Sequence, residues 1–188
     1  MTRFLISLAV VAFASGSSLA ANDRFYKDTP DSKRGFVAAT DPLYVKTCGS
    51  CHFPYSPGLL PARSWVRHLD RVDKHFGESI KLAAEEREAL QRYLTANAAD
   101  VSPYEGSQLF MERIDPASTP YRFRDVFLFR EMHGIIINVI EVKPQVKVRS
   151  LTNCNGCHLA AERGSFGTEE LFIPGLSKNR RDGRRIAP

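Results

Sequence analysis

The sequence reads CGSCH at residues 48–52 and CNGCH at residues 154–158. Both follow the pattern C-x-x-C-H, and together they contain all four cysteines of the 188-residue chain. This pattern is the attachment signature of c-type haem. Two thiols at this spacing can reach both vinyl groups of one haem, and the next histidine can bind its iron from the same face. The sequence therefore predicts two covalent haem c groups, attached through Cys48, Cys51, Cys154 and Cys157, with His52 and His158 as proximal iron ligands.

Three other readings of the cysteine pairs are weaker. A thioredoxin-like redox centre needs no histidine directly after the pair, and here one follows twice. A four-cysteine zinc site usually brings its two pairs much closer together in the sequence. Structural disulfides occur in exported proteins, but a gap of two residues makes an awkward local bridge.

The N-terminus has the layout of a secretory signal. Arg3 precedes an apolar run over residues 4–14, and small residues follow up to Ala20. We expect cleavage after Ala20, because the run is shorter than the roughly 20 apolar residues of a membrane anchor. The longest later apolar stretch, 134–142, is interrupted by Asn138 and Glu141. The predicted mature protein is exported and does not span the membrane.

The composition is that of an ordinary globular protein. Hydrophobic residues make up 43% and charged residues 25%, which excludes wholesale disorder and a polytopic membrane protein. The formal net charge of +5 is too small and its cations too interspersed to indicate nucleic-acid binding.

Hydrophobic periodicity predicts a mainly α-helical chain. Asp41 and Pro42 are suited to start a helix that carries residues 48–52. Further helices are predicted over 63–76, ended by Gly77, and over 83–99. Residues 103–120 are expected to connect two halves. Residues 135–148, rich in β-branched side chains, are expected to be extended.

Three histidines remain as candidates for the sixth iron positions. His68 and His75 lie seven residues apart on one edge of the predicted 63–76 helix, so either could face a haem. His133 shares a predicted apolar face with Val126 and Phe129. Each could also be an ordinary half-buried histidine. The spacing permits a mirrored arrangement, with one donor after the first motif and one before the second, or a crossed one.

Methionine is the other common sixth ligand of haem iron. After signal cleavage only Met111 and Met132 remain. Both are better explained as core residues, since methionine commonly fills gaps in cores. We therefore expect bis-histidine ligation of both haems, with low reduction potentials and no open iron position.

Several segments beyond the haem motifs resemble the dihaem cytochrome c family, often called DHC, over most of the mature chain. The matching segments are CGSCHF at 48–53, PGLLP at 57–61, SW at 64–65, HFG at 75–77, YLTANAAD at 93–100, and His133 followed by NCNGCH at 153–158. The resemblance implies that His75 and His133 are the distal ligands. His68 departs from the family pattern, which has an apolar residue there.

The resemblance also implies a function. It indicates a small, mainly helical periplasmic electron carrier with two haem-binding lobes and long irregular loops. Electron transfer to an oxygen-binding monohaem cytochrome, with a membrane cytochrome b as the source, would follow from it. We expect a signal peptide at 1–20, an N-terminal lobe at 21–100 and a C-terminal lobe at 101–188. The alternatives are a dihaem electron-transfer subunit of a periplasmic reductase and, less compatible with closed irons, a haem peroxidase or reductase.

Overall fold

The fold is given by a computed structural model that describes residues 33–142 and 150–173, without the side chains of residues 135–142. Within these ranges it contains five α-helices and no β-strand, which confirms the mainly α-helical prediction. The predicted signal peptide lies outside the described residues. The helices are α1 (Pro42–Cys48), α2 (Ala62–Asp70), α3 (Ala84–Ala96), α4 (Glu105–Glu112) and α5 (Phe127–Val142). None of them is long and apolar enough to cross a membrane.

Helix α1 starts where the sequence predicts, but it ends before the predicted end at residue 52. The Asp41 carboxylate accepts a 2.8 Å hydrogen bond from the amide of Tyr44, and Pro42 occupies the first turn. The helix ends at Cys48, where the amide of Gly49 donates to the carbonyl of Val45. The first cysteine of the motif is therefore helical, whereas Cys51 and His52 lie in the turn that follows.

Helix α2 is shorter than the predicted 63–76 helix. It ends at Asp70, and a short 3-10 turn, Val72–Lys74, follows. Two backbone hydrogen bonds between His75 and Glu78 then close a tight turn, with Phe76 at φ 51° and Gly77 at φ 99°. These left-handed conformations are incompatible with a continuing α-helix. Gly77 thus marks a turn after His75 rather than the end of a long helix.

Two segments differ in the type of structure from the sequence prediction. Helix α4 lies within the stretch 103–120, which was expected to be a connection. Helix α5 continues through residues 135–142, which were expected to be extended. β-branched residues cost a helix only a few tenths of a kcal/mol each, and extending an existing helix is cheaper than starting one. The helix predicted over 83–99 is observed as α3, and its predicted end lies three residues beyond the observed end at Ala96.

One hydrophobic core runs through the described part of the chain. It includes Trp65 and Leu69 of α2, Leu90 and Leu94 of α3, and Phe110 of α4. The indole Nε1 donates hydrogen bonds to the Pro57 and Leu60 carbonyls, at 2.7 and 3.1 Å, and so fixes the 57–61 loop against α2.

The segment before α1 packs against the C-terminal half. The Phe36 amide donates to the carbonyl of Gly164, and the Gly106 amide donates to the carbonyl of Gly35, each at 2.9 Å. The Phe36 ring meets Phe110 and Phe166 edge to face, at 5.3 and 5.4 Å. Residues 33–36, which belong to the predicted N-terminal lobe, therefore lie beside the second cysteine motif. The division into two lobes at residue 100 stays a prediction.

Candidate haem sites

A cavity of about 420 Å³ adjoins the first cysteine motif. Its walls come from α1, the loop after the motif, α2, the turn at 75–78 and residues 121–124. Cys48, His52, His68 and His75 all contribute to its lining. The tertiary structure thus places both candidate distal histidines in the same cavity as the first proximal histidine.

The ring of His52 is oriented by its neighbours. Its Nδ1 lies 2.7 Å from the carbonyl oxygen of Phe53, and its face stacks on Tyr55 at 4.7 Å and 19°. An Nδ1–H that donates to a carbonyl leaves Nε2 with a free lone pair, which is the form that binds a metal.

His75 faces His52 across the cavity. The two ring centroids are 6.1 Å apart and the planes are tilted by 30°. Burial, and then the proximity of His52, lower the pKa of His75, which favours the neutral imidazole that a ligand requires.

His68 reaches the same cavity from α2. Its ring stacks on Tyr121 at 4.2 Å and lies 5.7 Å from the ring of His75. Its Nδ1 is buried and has no hydrogen-bond partner. Burial and the nearby His75 lower the pKa of His68 to about 4, against an opposing hydrogen-bond contribution from the backbone of Tyr121.

A second cleft, of about 140 Å³, adjoins the second motif. Cys154, Cys157 and His158 line one side, and His133 of α5 lines the other. The remaining lining is largely aromatic and includes Phe36, Phe110, Phe123, Phe129 and Phe166. The structure therefore brings together the donors in the mirrored arrangement, with one donor after the first motif and one before the second.

The helical backbone of α5 orients His133. Its Nδ1 lies 2.9 Å from the carbonyl oxygen of Phe129, and its ring stacks on that of Phe129 at 4.0 Å and 16°. The rings of His133 and His158 have a centroid separation of 6.1 Å and an angle of 69°. Burial, and then the proximity of His133, lower the pKa of His158 to about 4, and burial lowers the pKa of His133, which favours the neutral imidazoles that ligation requires.

These geometries fit bis-histidine haem. When two imidazoles bind one iron from opposite faces with bonds of about 2 Å, their ring centroids lie about 6 Å apart. Both histidine pairs have this separation. In residues 33–142 and 150–173, no group of three or more His, Cys, Asp or Glu side chains is placed to hold a metal ion unaided. The paired imidazoles are suited to a haem, whose macrocycle supplies the four other ligands of the iron.

None of the four cysteines is joined to another in a disulfide. Burial raises the pKa of Cys48 to about 11 and that of Cys154 to about 12.

Aromatic rings connect the two sites. They form a continuous series of contacts in the order His52, Tyr55, Phe123, Phe129, His133, with centroid separations of 4.7, 4.7, 5.3 and 4.0 Å. Phe123 lines both cavities. Sequence reasoning missed Tyr55 and Phe123, because a lone aromatic residue in a loop carries no signal of which distant ring it contacts.

Cations beside the first cavity were missed as well. Arg122 and Arg124 contribute to its lining, and the Arg122 guanidinium lies 4.8 Å from the centre of the Phe76 ring. These two side chains are suited to hold the propionates of a bound haem through charge-assisted hydrogen bonds.

The two methionines differ in their surroundings. Met111 packs against the hydrophobic core, as expected. Met132 is 42% exposed and touches the second cavity, so its assignment to the core is wrong. Met132 adjoins His133 on α5, where the helix turns successive side chains in different directions.

The chain was compared with families, curated proteins and solved structures. The DHC family model, described as dihaem cytochrome c, matches residues 44–166. No curated protein matches the chain. It is similar to a diheme cytochrome c from Rhodobacter sphaeroides, with 36% identity over 69% of this chain and 99% of that one and a TM-score of 0.60. It is also similar to a diheme cytochrome from Shewanella baltica OS155, with 27% identity over 71% and 93% of the two chains and a TM-score of 0.56.

The family match, the helical fold and the paired histidines all indicate haem as the cofactor and electron transfer as the chemistry. The chain belongs to the dihaem cytochrome c family, a group of electron-transfer cytochromes, and it carries two covalently bound haem c groups.

Proposed function

We propose that this chain is a periplasmic electron carrier with two closed, bis-histidine haems. The first haem is attached to Cys48 and Cys51 and is ligated by His52 and His75. The second is attached to Cys154 and Cys157 and is ligated by His158 and His133. The observation that carries the proposal is the 6.1 Å separation of the ring centroids in both histidine pairs.

Each haem, when bound, supplies an iron that cycles between the ferric and ferrous states. The chain's own contribution is to hold the ligands still. His52 and His133 are each oriented by a backbone carbonyl at Nδ1 and by a stacked aromatic ring. Fixed imidazoles reduce the rearrangement that accompanies a change in iron charge, and a filled sixth position excludes small ligands. Both properties suit a carrier better than a haem enzyme.

The connection between the sites supports internal electron exchange. The aromatic series from His52 to His133 packs the two ligand sets against each other, and the hydrogen bond from Tyr55 to Thr152 ties the two motif loops. Both haems then belong to one packed unit, so an electron that enters at one site has the other as its nearest acceptor.

The compartment and the partners complete the proposal. The basic start, apolar run and small residues of 1–20 support export. We infer that the carrier takes electrons from a membrane cytochrome b and passes them to a small oxygen-binding monohaem cytochrome or another terminal acceptor. This choice of partner chemistry is what the resemblance of the sequence segments to dihaem cytochromes c implies.

A stopped-flow experiment tests the carrier role. The haem-loaded protein is reduced and then mixed with an oxidised, oxygen-binding monohaem cytochrome, and both haem spectra are followed. We expect oxidation with a rate proportional to acceptor concentration. Oxidation no faster than with buffer and oxygen alone would contradict the proposed partner. Sustained turnover of peroxide, nitrite or hydroxylamine with an electron donor would contradict the carrier role and favour an enzyme. A stable complex with a reductase during purification would favour the subunit alternative.

A further inference from the structure

The first haem site contains one more histidine than bis-histidine ligation uses. His52, His68 and His75 all line the first cavity. In the described part of the chain, the lining of the second cavity contains two histidines, His133 and His158. The additional histidine is therefore specific to the first site.

His68 lies in the wall of the first cavity as a candidate second iron ligand. It lies on α2 between the buried residues Trp65 and Leu69, so its backbone is anchored in the core. Its Nδ1 is buried without a hydrogen-bond partner, although buried polar atoms are nearly always partnered. The centroid of the His68 ring lies 5.7 Å from that of His75, so a second imidazole stands next to the proposed distal ligand in the same cavity.

His75 is held much less firmly. Its turn is closed by two backbone hydrogen bonds with Glu78, of 2.8 and 3.0 Å. Phe76 is 50% exposed and adopts a positive φ of 51°, which is unfavourable for a residue with a side chain. A Cβ added at Gly77 would meet nothing within 4 Å, so the turn has open space around it. The half-exposed Phe76 ring contacts Tyr121 at 5.3 Å and the Arg122 guanidinium at 4.8 Å, and a surface turn held by such contacts belongs to the segments that open locally.

We propose that the first haem has two alternative distal ligands, and that His68 takes the coordination position whenever the 75–78 turn moves His75 away. This inference rests on the proposed assignment of His75. In the exchange one bond between iron and an imidazole nitrogen breaks and one forms, and no electron or proton is transferred. The first haem thereby stays six-coordinate and closed to small ligands, whereas the second opens as soon as His133 is lost.

The test uses the full, haem-loaded protein and four variants: His75→Ala, His68→Phe, the double variant, and His133→Ala as the matched control at the second site. Phenylalanine at position 68 keeps a ring against Tyr121 and removes the donor nitrogens. Haem content is measured as the pyridine haemochrome, spin state by low-temperature EPR, and open sites by carbon monoxide binding. All variants are expected to retain two haems per chain, because the thioether bonds are intact.

We expect His75→Ala to keep both haems low-spin, with a shifted signal for the first, and to bind no carbon monoxide. The double variant and His133→Ala should each show one high-spin haem and bind about one carbon monoxide per chain, in keeping with one open iron position. A high-spin first haem in His75→Ala would overturn the exchange and leave the assignment of His75 intact. A high-spin haem in His68→Phe alone would overturn the assignment of His75 itself. Two low-spin haems in the double variant would overturn the exchange by showing that another group ligates.

Discussion

The hydroxyl of Tyr55 donates a 2.8 Å hydrogen bond to the carbonyl of Thr152, two residues before the second haem motif. The same ring stacks on His52 of the first motif and lies 4.7 Å from Phe123. One side chain therefore joins two motifs that are far apart in the sequence. This contact gives the two haem sites a fixed relationship that neither motif encodes alone.

Tyr55→Phe should destabilise the protein by about 1 kcal/mol, the usual net contribution of one hydrogen bond. Tyr55→Leu should cost more, about 2–3 kcal/mol, because the contacts with His52 and Phe123 are also lost. Guanidinium unfolding followed by circular dichroism measures both. Tyr104→Phe is the matched control, because the Tyr104 hydroxyl makes no hydrogen bond within residues 33–142 and 150–173, and it should change stability by less than about 0.5 kcal/mol. Equal losses for the two Tyr55 variants would mean that the ring contacts contribute nothing.

Gly164→Ala should be strongly destabilising. Gly164 has φ +77°, and an added Cβ would lie 2.0 Å from the carbonyl oxygen of Phe36. Backbone must move to make room, so we expect a loss of at least about 2 kcal/mol. Gly134→Ala is the control, since a Cβ there meets nothing within 4 Å and the residue lies inside α5. It should stabilise the protein by about 0.5–1 kcal/mol. Thermal unfolding compares the two, and a neutral Gly164→Ala would show that residues 33–36 do not depend on this close approach.

Acid should destabilise the protein in part through His68. Its pKa falls from 6.5 to about 4 on folding, because burial and the nearby His75 disfavour the charged ring. A group whose pKa is lowered on folding contributes stability above its unfolded value, and that stability is lost as the pH falls from 6.5 towards 4. His68→Phe should therefore flatten the decline in stability over this interval, by up to about 1.4 kcal/mol per pH unit. Denaturant unfolding at several pH values measures the slope. Parallel slopes for wild type and variant would contradict this role of His68.

Local signals were read correctly from the sequence, and contacts between distant segments were not. The two haem motifs, the Asp41 cap of α1 and the position of His133 on a helix each depend on a few neighbouring residues. The apolar stripe of α2 continues to residue 76 in the sequence, but the helix ends at Asp70 because the chain forms the His75–Glu78 turn instead. Tyr55, Phe123 and Arg122 gain their roles only when loops meet in three dimensions. The pairing of His52 with His75 and of His158 with His133 needed the tertiary structure for the same reason.

The most direct test of two closed bis-histidine haems is EPR and absorption spectroscopy of the oxidised and reduced haem-loaded protein, with and without carbon monoxide. The imidazole planes meet at 30° in the first pair and 69° in the second, and this angle affects the splitting of the iron d orbitals. We predict two distinguishable low-spin ferric signals and a reduced spectrum that carbon monoxide leaves unchanged. A high-spin signal, or a carbon monoxide adduct on either haem, would contradict the account and reveal an open iron position.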